Sequence, residues 1–102
     1  MPQIRACNKE DLPQGEALQV PHDPPIAVFN VDGEFYATDD TCTHDRWSLA
    51  TDGYIDGDIV ECSWHMAKFS IKTGEVKSLP ARCPLRTYPV RVDGDGDVYI
   101  TV

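Results

Sequence analysis

Residues 41–69, TCTHDRWSLATDGYIDGDIVECSWHMAKF, decide how this chain is read. Cys42 and His44 form a C-x-H pair, the 17 residues 45–61 follow, and Cys62 and His65 form a C-x2-H pair. Two thiolates and two imidazoles in matched pairs are a metal-binding set. A closed tetrahedral zinc site uses the same residue types, but zinc modules usually pair C-x2-4-C with H-x3-5-H. Here each pair mixes sulfur with nitrogen. That mixing suits a [2Fe-2S] centre in which both cysteines bind one iron and both histidines the other, each loop giving one of each. Zinc remains the alternative at this point.

The wider stretch resembles a Rieske ferredoxin. Trp47-Ser48-Leu49 after the first pair, Gly53-Tyr54 and Asp56-Gly57 between the pairs, and Met66-Ala67-Lys68-Phe69 after the C-x2-H pair are similar to the small ferredoxins of bacterial aromatic-ring-hydroxylating dioxygenase systems, of the biphenyl, toluene and benzene type. The likeness implies one [2Fe-2S] Rieske cluster, with Cys42, His44, Cys62 and His65 as both the cofactor-binding and the metal-ligating residues. It implies that Cys42 and Cys62 hold the buried iron, while the histidines bind the outer iron through one ring nitrogen each and form the electron gate. Segment 79–81 resembles the family's proline loop, which covers the cluster and excludes water.

Three departures from the wider family are informative. Where respiratory and photosynthetic Rieske proteins carry two further cysteines that tie the cluster loops, this chain has Trp47 and Trp64, so that bridge is absent. Where those proteins place a serine and a tyrosine that hydrogen-bond the cluster sulfurs, it has Ala67 and Phe69. Such bonds stabilise the more negative, reduced cluster, and without them a potential near the low end of the Rieske range, about −150 mV, is expected. Asp45-Arg46 stands where related ferredoxins usually have glycine after the first histidine, which puts the detail of that loop in question.

The chain around this stretch reads as one Rieske domain over residues 1–102, with the cluster-binding loops inside 41–69. Its 102 residues are 41 % hydrophobic, enough for one modest core. No apolar run approaches the roughly 20 residues of a membrane span, and the N-terminus shows no secretory signal, so a cytoplasmic protein without a membrane partner is expected. The reducing cytosol argues against disulfides, leaving Cys7 and Cys83 as small buried side chains. A formal net charge of −8 excludes nucleic acid as a natural partner. Residues 1–61 hold 13 acids against 3 bases, and residues 62–92 hold 6 bases against 1 acid. The acidic part either steers the chain to a basic partner or reflects turn chemistry, since five acids stand in Asp-Gly pairs. The basic run reads as a solvated face.

The periodicity predicts an all-β fold, an antiparallel barrel or sandwich carrying a small cluster-binding subdomain of two loops. Strands are expected over 3–7, 16–20, 26–31, 34–38, 54–55, 58–61, 69–71, 75–77, 86–92 and 98–102. A capped turn is expected over 8–13 and a helical turn over 48–52. Asp32-Gly33 between two β-rich runs is the clearest hairpin signal. Pro89 marks an edge or a bulge in the 86–92 strand. Trp64 is read as shielding the cluster, with partner docking as its other role. Trp47 and Phe69 are read as packing, Met66 fits either role, and Arg46 and His22 are read as loop residues.

Once His44 and His65 are assigned, only His22 remains, so the chain lacks the two histidines and carboxylate of a mononuclear oxygenase iron. It also lacks a glycine-rich nucleotide motif with which to take hydride from NADH. An electron carrier is therefore expected, not an enzyme. The resemblance implies a monomer that passes single electrons from an NADH-dependent flavoprotein ferredoxin reductase to the terminal oxygenase of a ring-hydroxylating dioxygenase. The alternatives are a small Rieske subunit of another reductase, such as a nitrite reductase assembly, and a zinc-stabilised interaction module.

Overall fold

A computed structural model describes residues 2–42, 48–62, 67–78 and 83–102. In chain order its strands are β1 (Gln3–Asn8), β2 (Ala17–Val20), β3 (Ile26–Val31), β4 (Glu34–Asp39), β5 (Tyr54–Asp56), β6 (Ile59–Glu61), β7 (Lys68–Ser70), β8 (Val76–Ser78), β9 (Thr87–Tyr88), β10 (Val90–Val92) and β11 (Asp97–Thr101). A 3-10 turn over Lys9–Asp11 follows β1, and a short helix, α1 (Leu49–Asp52), precedes β5. Among the described residues the strands form three antiparallel sheets, ordered β1-β11-β10, β2-β3-β4-β9 and β5-β6-β7-β8.

The β3 strand, IAVFNV, is buried along its whole length because apolar side chains point from both of its faces. Successive side chains of a strand alternate between faces. Ala27, Phe29 and Val31 pack with Leu49, Val60, Phe69, Ile71 and Leu85, joining the second sheet to the third. Ile26 and Val28 pack with Cys7, Val20, Ala37, Tyr88, Val98 and Ile100, joining it to the first. One strand thus sits between two cores, and full burial of a side chain such as Phe29 contributes roughly 1.5–3 kcal/mol. Asn30, the polar residue of β3, is satisfied inside: its Nδ2 donates to the Leu12 carbonyl at 2.8 Å and its Oδ1 accepts from the Gly33 amide at 2.9 Å.

The β3-β4 hairpin forms at the expected dipeptide. Asp32 and Gly33 have φ of 53° and 88°, the left-handed pair of a two-residue turn whose twist matches its strands. The register runs from Val31↔Glu34 to Ile26↔Asp39. Asn8 caps the 3-10 turn, accepting from the Glu10 amide, while Asp11 accepts from the Asn8 amide.

Three expectations change. The single strand expected over 86–92 is two strands, β9 and β10, which pair with β4 and β11 in different sheets. Pro89 lies between them; lacking a donor, it cannot continue either ladder, and each half becomes a sheet edge. Ile71, expected within a strand, lies in the turn after β7 yet is fully buried. Cys83 is exposed instead of buried. Residues 83–86 form no strand, and the apolar contact of this segment is made by Leu85, which enters the core beneath the third sheet. Cys7 is buried as expected, and no disulfide forms among the described cysteines.

Part of the charge serves turn and surface contacts. Asp93 Oδ1 accepts from the amides of Asp95 and Asp97 and so shapes the β10-β11 turn. Three cations of the basic run, Lys72, Arg86 and Arg91, lie over the rings of Tyr36, Tyr88 and Tyr99 at 5.9, 5.0 and 4.6 Å. No helix among the described residues is long and apolar enough to cross a membrane.

Candidate metal centre

Two strand ends deliver the two cysteines. β4 ends at Asp39, and Asp40 and Thr41 carry the chain to Cys42, which is 3 % exposed. β6 ends at Glu61, and Cys62 follows directly, 1 % exposed. Both side chains enter the same core as Leu49, Val60, Ala67 and Phe69, so loops that start 20 residues apart in sequence bring their sulfurs to one dry wall.

Each loop is closed at its base. Thr41 and Ser48 form an isolated antiparallel bridge, and the Ser48 hydroxyl caps α1 by accepting from the Thr51 amide at 3.1 Å. In the second loop the Cys62 amide donates to the Ala67 carbonyl at 2.8 Å, and Glu61 pairs with Lys68 as β7 begins. The partners of the two cysteines in the ligand motif, His44 and His65, lie outside the described residues, as do Arg46, Trp47, Trp64, Met66 and segment 79–81. Among the described residues no group of three or more metal-ligating side chains gathers.

The donor chemistry of what is described fits an iron-sulfur group. Soft thiolates at the wall of an apolar core suit iron-sulfur centres, and closed loop bases hold them in place. Ala67 and Phe69 are both fully buried in that core, and their side chains present only carbon. A shallow cavity of about 120 Å³ lies elsewhere, between the Asp32 and Gly57 turns, and is smaller than the roughly 300 Å³ of ordinary small-molecule sites.

Sequence reasoning missed the acids that hold the first loop. Asp39 and Asp40 are visible there only as charge, yet each is a fixed hydrogen-bond acceptor. Gln19 Nε2 donates to Asp40 Oδ2 at 2.7 Å, and the Tyr88 hydroxyl donates to Asp39 Oδ1 at 2.5 Å. The Asp39 amide also donates to the Arg86 carbonyl, so β9 is tied to the strand that leads into Cys42. Burial, and next the bond to Asp39, push the Tyr88 phenol from its ordinary value of 10 up to about 12.

A folded state that holds this proton more tightly than the unfolded chain gains stability below pH 10 and loses it as the pH rises towards about 12. Tyr88→Phe removes that dependence. Between pH 10 and 12 the wild-type protein is expected to lose on the order of 1–3 kcal/mol relative to Tyr88→Phe. Urea unfolding of both proteins across this window measures the difference, and parallel curves would remove Tyr88 from the alkaline transition.

The chain belongs to the Rieske [2Fe-2S] domain family, whose model matches residues 3–89. It is a ferredoxin, an electron carrier with one Rieske cluster and not a catalytic subunit. Among its relatives, the biphenyl dioxygenase ferredoxin subunit of Pseudomonas sp. (strain KKS102) is 58 % identical over 91 residues, covering 88 % of this chain and 84 % of the relative. The structure of Sphingomonas yanoikuyae B1 ferredoxin superposes with a TM-score of 0.91 at 43 % identity, covering 99 % of each chain. A chain of the complex of reduced oxygenase and oxidized ferredoxin in carbazole 1,9a-dioxygenase gives a TM-score of 0.92 at 38 % identity, covering 97 % of this chain and 92 % of that one. Membership in this family sets the zinc alternative aside.

Proposed function

We propose that Cys42, His44, Cys62 and His65 hold the cluster, and that residues 1–102 act as one domain carrying single electrons from an NADH-dependent flavoprotein ferredoxin reductase to a terminal ring-hydroxylating oxygenase. The observation that carries the ligand assignment is the meeting of Cys42 and Cys62, from two closed loops, in one apolar core. When bound, the cluster takes up and gives back one electron. The chain's own part is to keep the two thiolates away from water and to leave the cluster sulfurs without hydroxyl donors at Ala67 and Phe69. A ferredoxin seated in a complex with its oxygenase in the carbazole system supports the oxygenase as partner. The reductase follows from the need for an electron source. The carrier acts as a monomer in the cytoplasm.

An anaerobic optical redox titration of the iron-replete protein tests this reading. A one-electron, bleachable centre near about −150 mV is expected, and His65→Cys is expected to move it down towards the roughly −400 mV of all-cysteine plant-type ferredoxins. An unchanged potential in His65→Cys would count against histidine ligation, and a strongly positive wild-type potential would undo the argument from Ala67 and Phe69.

A further inference from the structure

We propose that Asp40 is a positioning residue for the first cluster loop, an inference that rests on the ligand assignment above. Asp40 is 1 % exposed and stands two residues before Cys42. Among the described residues it makes four hydrogen bonds. Its amide donates to the Pro25 carbonyl at 2.9 Å, and its carbonyl accepts from the Leu49 amide at 2.7 Å. Its Oδ1 accepts from the Ala50 amide at 2.9 Å and its Oδ2 from Gln19 Nε2 at 2.7 Å.

These contacts define a clamp. The loop leaves Asp40, carries Cys42 and His44, and returns through Ser48 to Leu49 and Ala50, whose amides both bind the residue from which it left. Gln19 on β2 and Pro25 before β3 fix that residue against the second sheet. The side chain and backbone of Asp40 therefore fix the span of the loop together with the Thr41–Ser48 bridge. The carboxylate is matched by two donors, and a neutral isostere keeps most of the match: an asparagine oxygen accepts from the Ala50 amide, and Gln19 turns its amide to accept from the asparagine NH2. Alanine leaves both donors buried without an acceptor.

The test is the rate at which a ferrous chelator bleaches the holoprotein, together with the g-values of the reduced cluster by electron paramagnetic resonance, well below the melting temperature. Asp40→Ala is expected to bleach at least about tenfold faster and to show shifted or broadened g-values, because the return end loses its bond at Ala50 and the second sheet its bond at Gln19, leaving backbone contacts alone to hold the loop base. Asp40→Asn is expected to stay within about twofold of wild type with unaltered g-values, since shape and both hydrogen bonds are kept once the Gln19 amide has turned. Val98→Ala, in the other core, is the control for simple destabilisation and is expected to bleach like wild type. Wild-type bleaching by Asp40→Ala, or Asp40→Asn and Val98→Ala as fast as Asp40→Ala, would overturn the proposal. Should Asp40→Ala fail to fold, Gln19→Leu removes one donor; faster bleaching supports the clamp and a wild-type rate overturns it. Failure of the ligand assignment would be visible separately, in wild-type protein lacking the signal of a histidine-ligated cluster.

Discussion

Cys62→Ala is expected to yield a folded but colourless chain that retains less than about a tenth of the wild-type iron and acid-labile sulfide. The expectation comes from place as much as from residue type. Cys62 sits directly after β6, 1 % exposed, with its amide fixed to Ala67, and the loop sequence 63–69 holds no other cysteine to take its position. Removing it leaves Cys42 as the one described thiolate on that wall of the core. Iron-sulfur centres of this type need both thiolates on one iron. The informative comparison is Cys7→Ala, which removes an equally buried sulfur from the other core. That change costs about 1 kcal/mol as a small cavity and should leave iron content and colour intact. Iron, sulfide and visible absorbance per chain separate the two variants. Full colour in Cys62→Ala, or its loss in Cys7→Ala, would mean that the wrong pair of cysteines has been assigned.

The contrast between those two cysteines also marks what is legible in the sequence. Cys42 and Cys62 announce themselves by spacing to a histidine, and Asp32-Gly33 by the left-handed backbone that such a pair tolerates, because both signals are local. Most strands are legible for the same reason, since alternation is written into consecutive residues. The six-residue run of β3 reads as a strand, but nothing local says that its two faces fill two different cores. Likewise Pro89 signals an interruption, whereas the fact that β9 and β10 join different sheets depends on β4 and β11, which they meet only in the folded chain. Asp40 is the sharpest case. In the run Asp39-Asp40-Thr41-Cys42 it looks like one more surface acid, and its role exists only once Gln19, Pro25 and Ala50 have been brought around it. Cys83 fails in the other direction: its residue type suggests burial, but Leu85 makes the core contact of that segment.

Gly74→Ala is expected to be the most destabilising single-methyl change in the third sheet, at about 3–5 kcal/mol. Gly74 follows the turn after β7 and has φ of +76°, which alone costs an alanine about 1 kcal/mol. Steric contact costs more. A Cβ built there overlaps the Leu85 carbonyl oxygen and lies 3.2 Å from Thr87 Cγ2. The neighbour is backbone, held in place by the Leu85 amide donating to the Gly74 carbonyl at 2.8 Å, so the clash is relieved only by parting the two chain segments. That parting also draws Leu85 out of the core that receives Cys42 and Cys62, which couples a turn remote in sequence to the metal-binding wall. Gly33→Ala separates the two contributions, because Gly33 has a similar φ of +88° but open space around its Cβ position. Denaturant unfolding of the holoprotein should show a loss of about 1 kcal/mol for Gly33→Ala and several times that for Gly74→Ala, with faster cluster bleaching in Gly74→Ala alone. Equal losses at the two sites would show that backbone conformation, and not the close approach of residue 85, sets the requirement for glycine at 74.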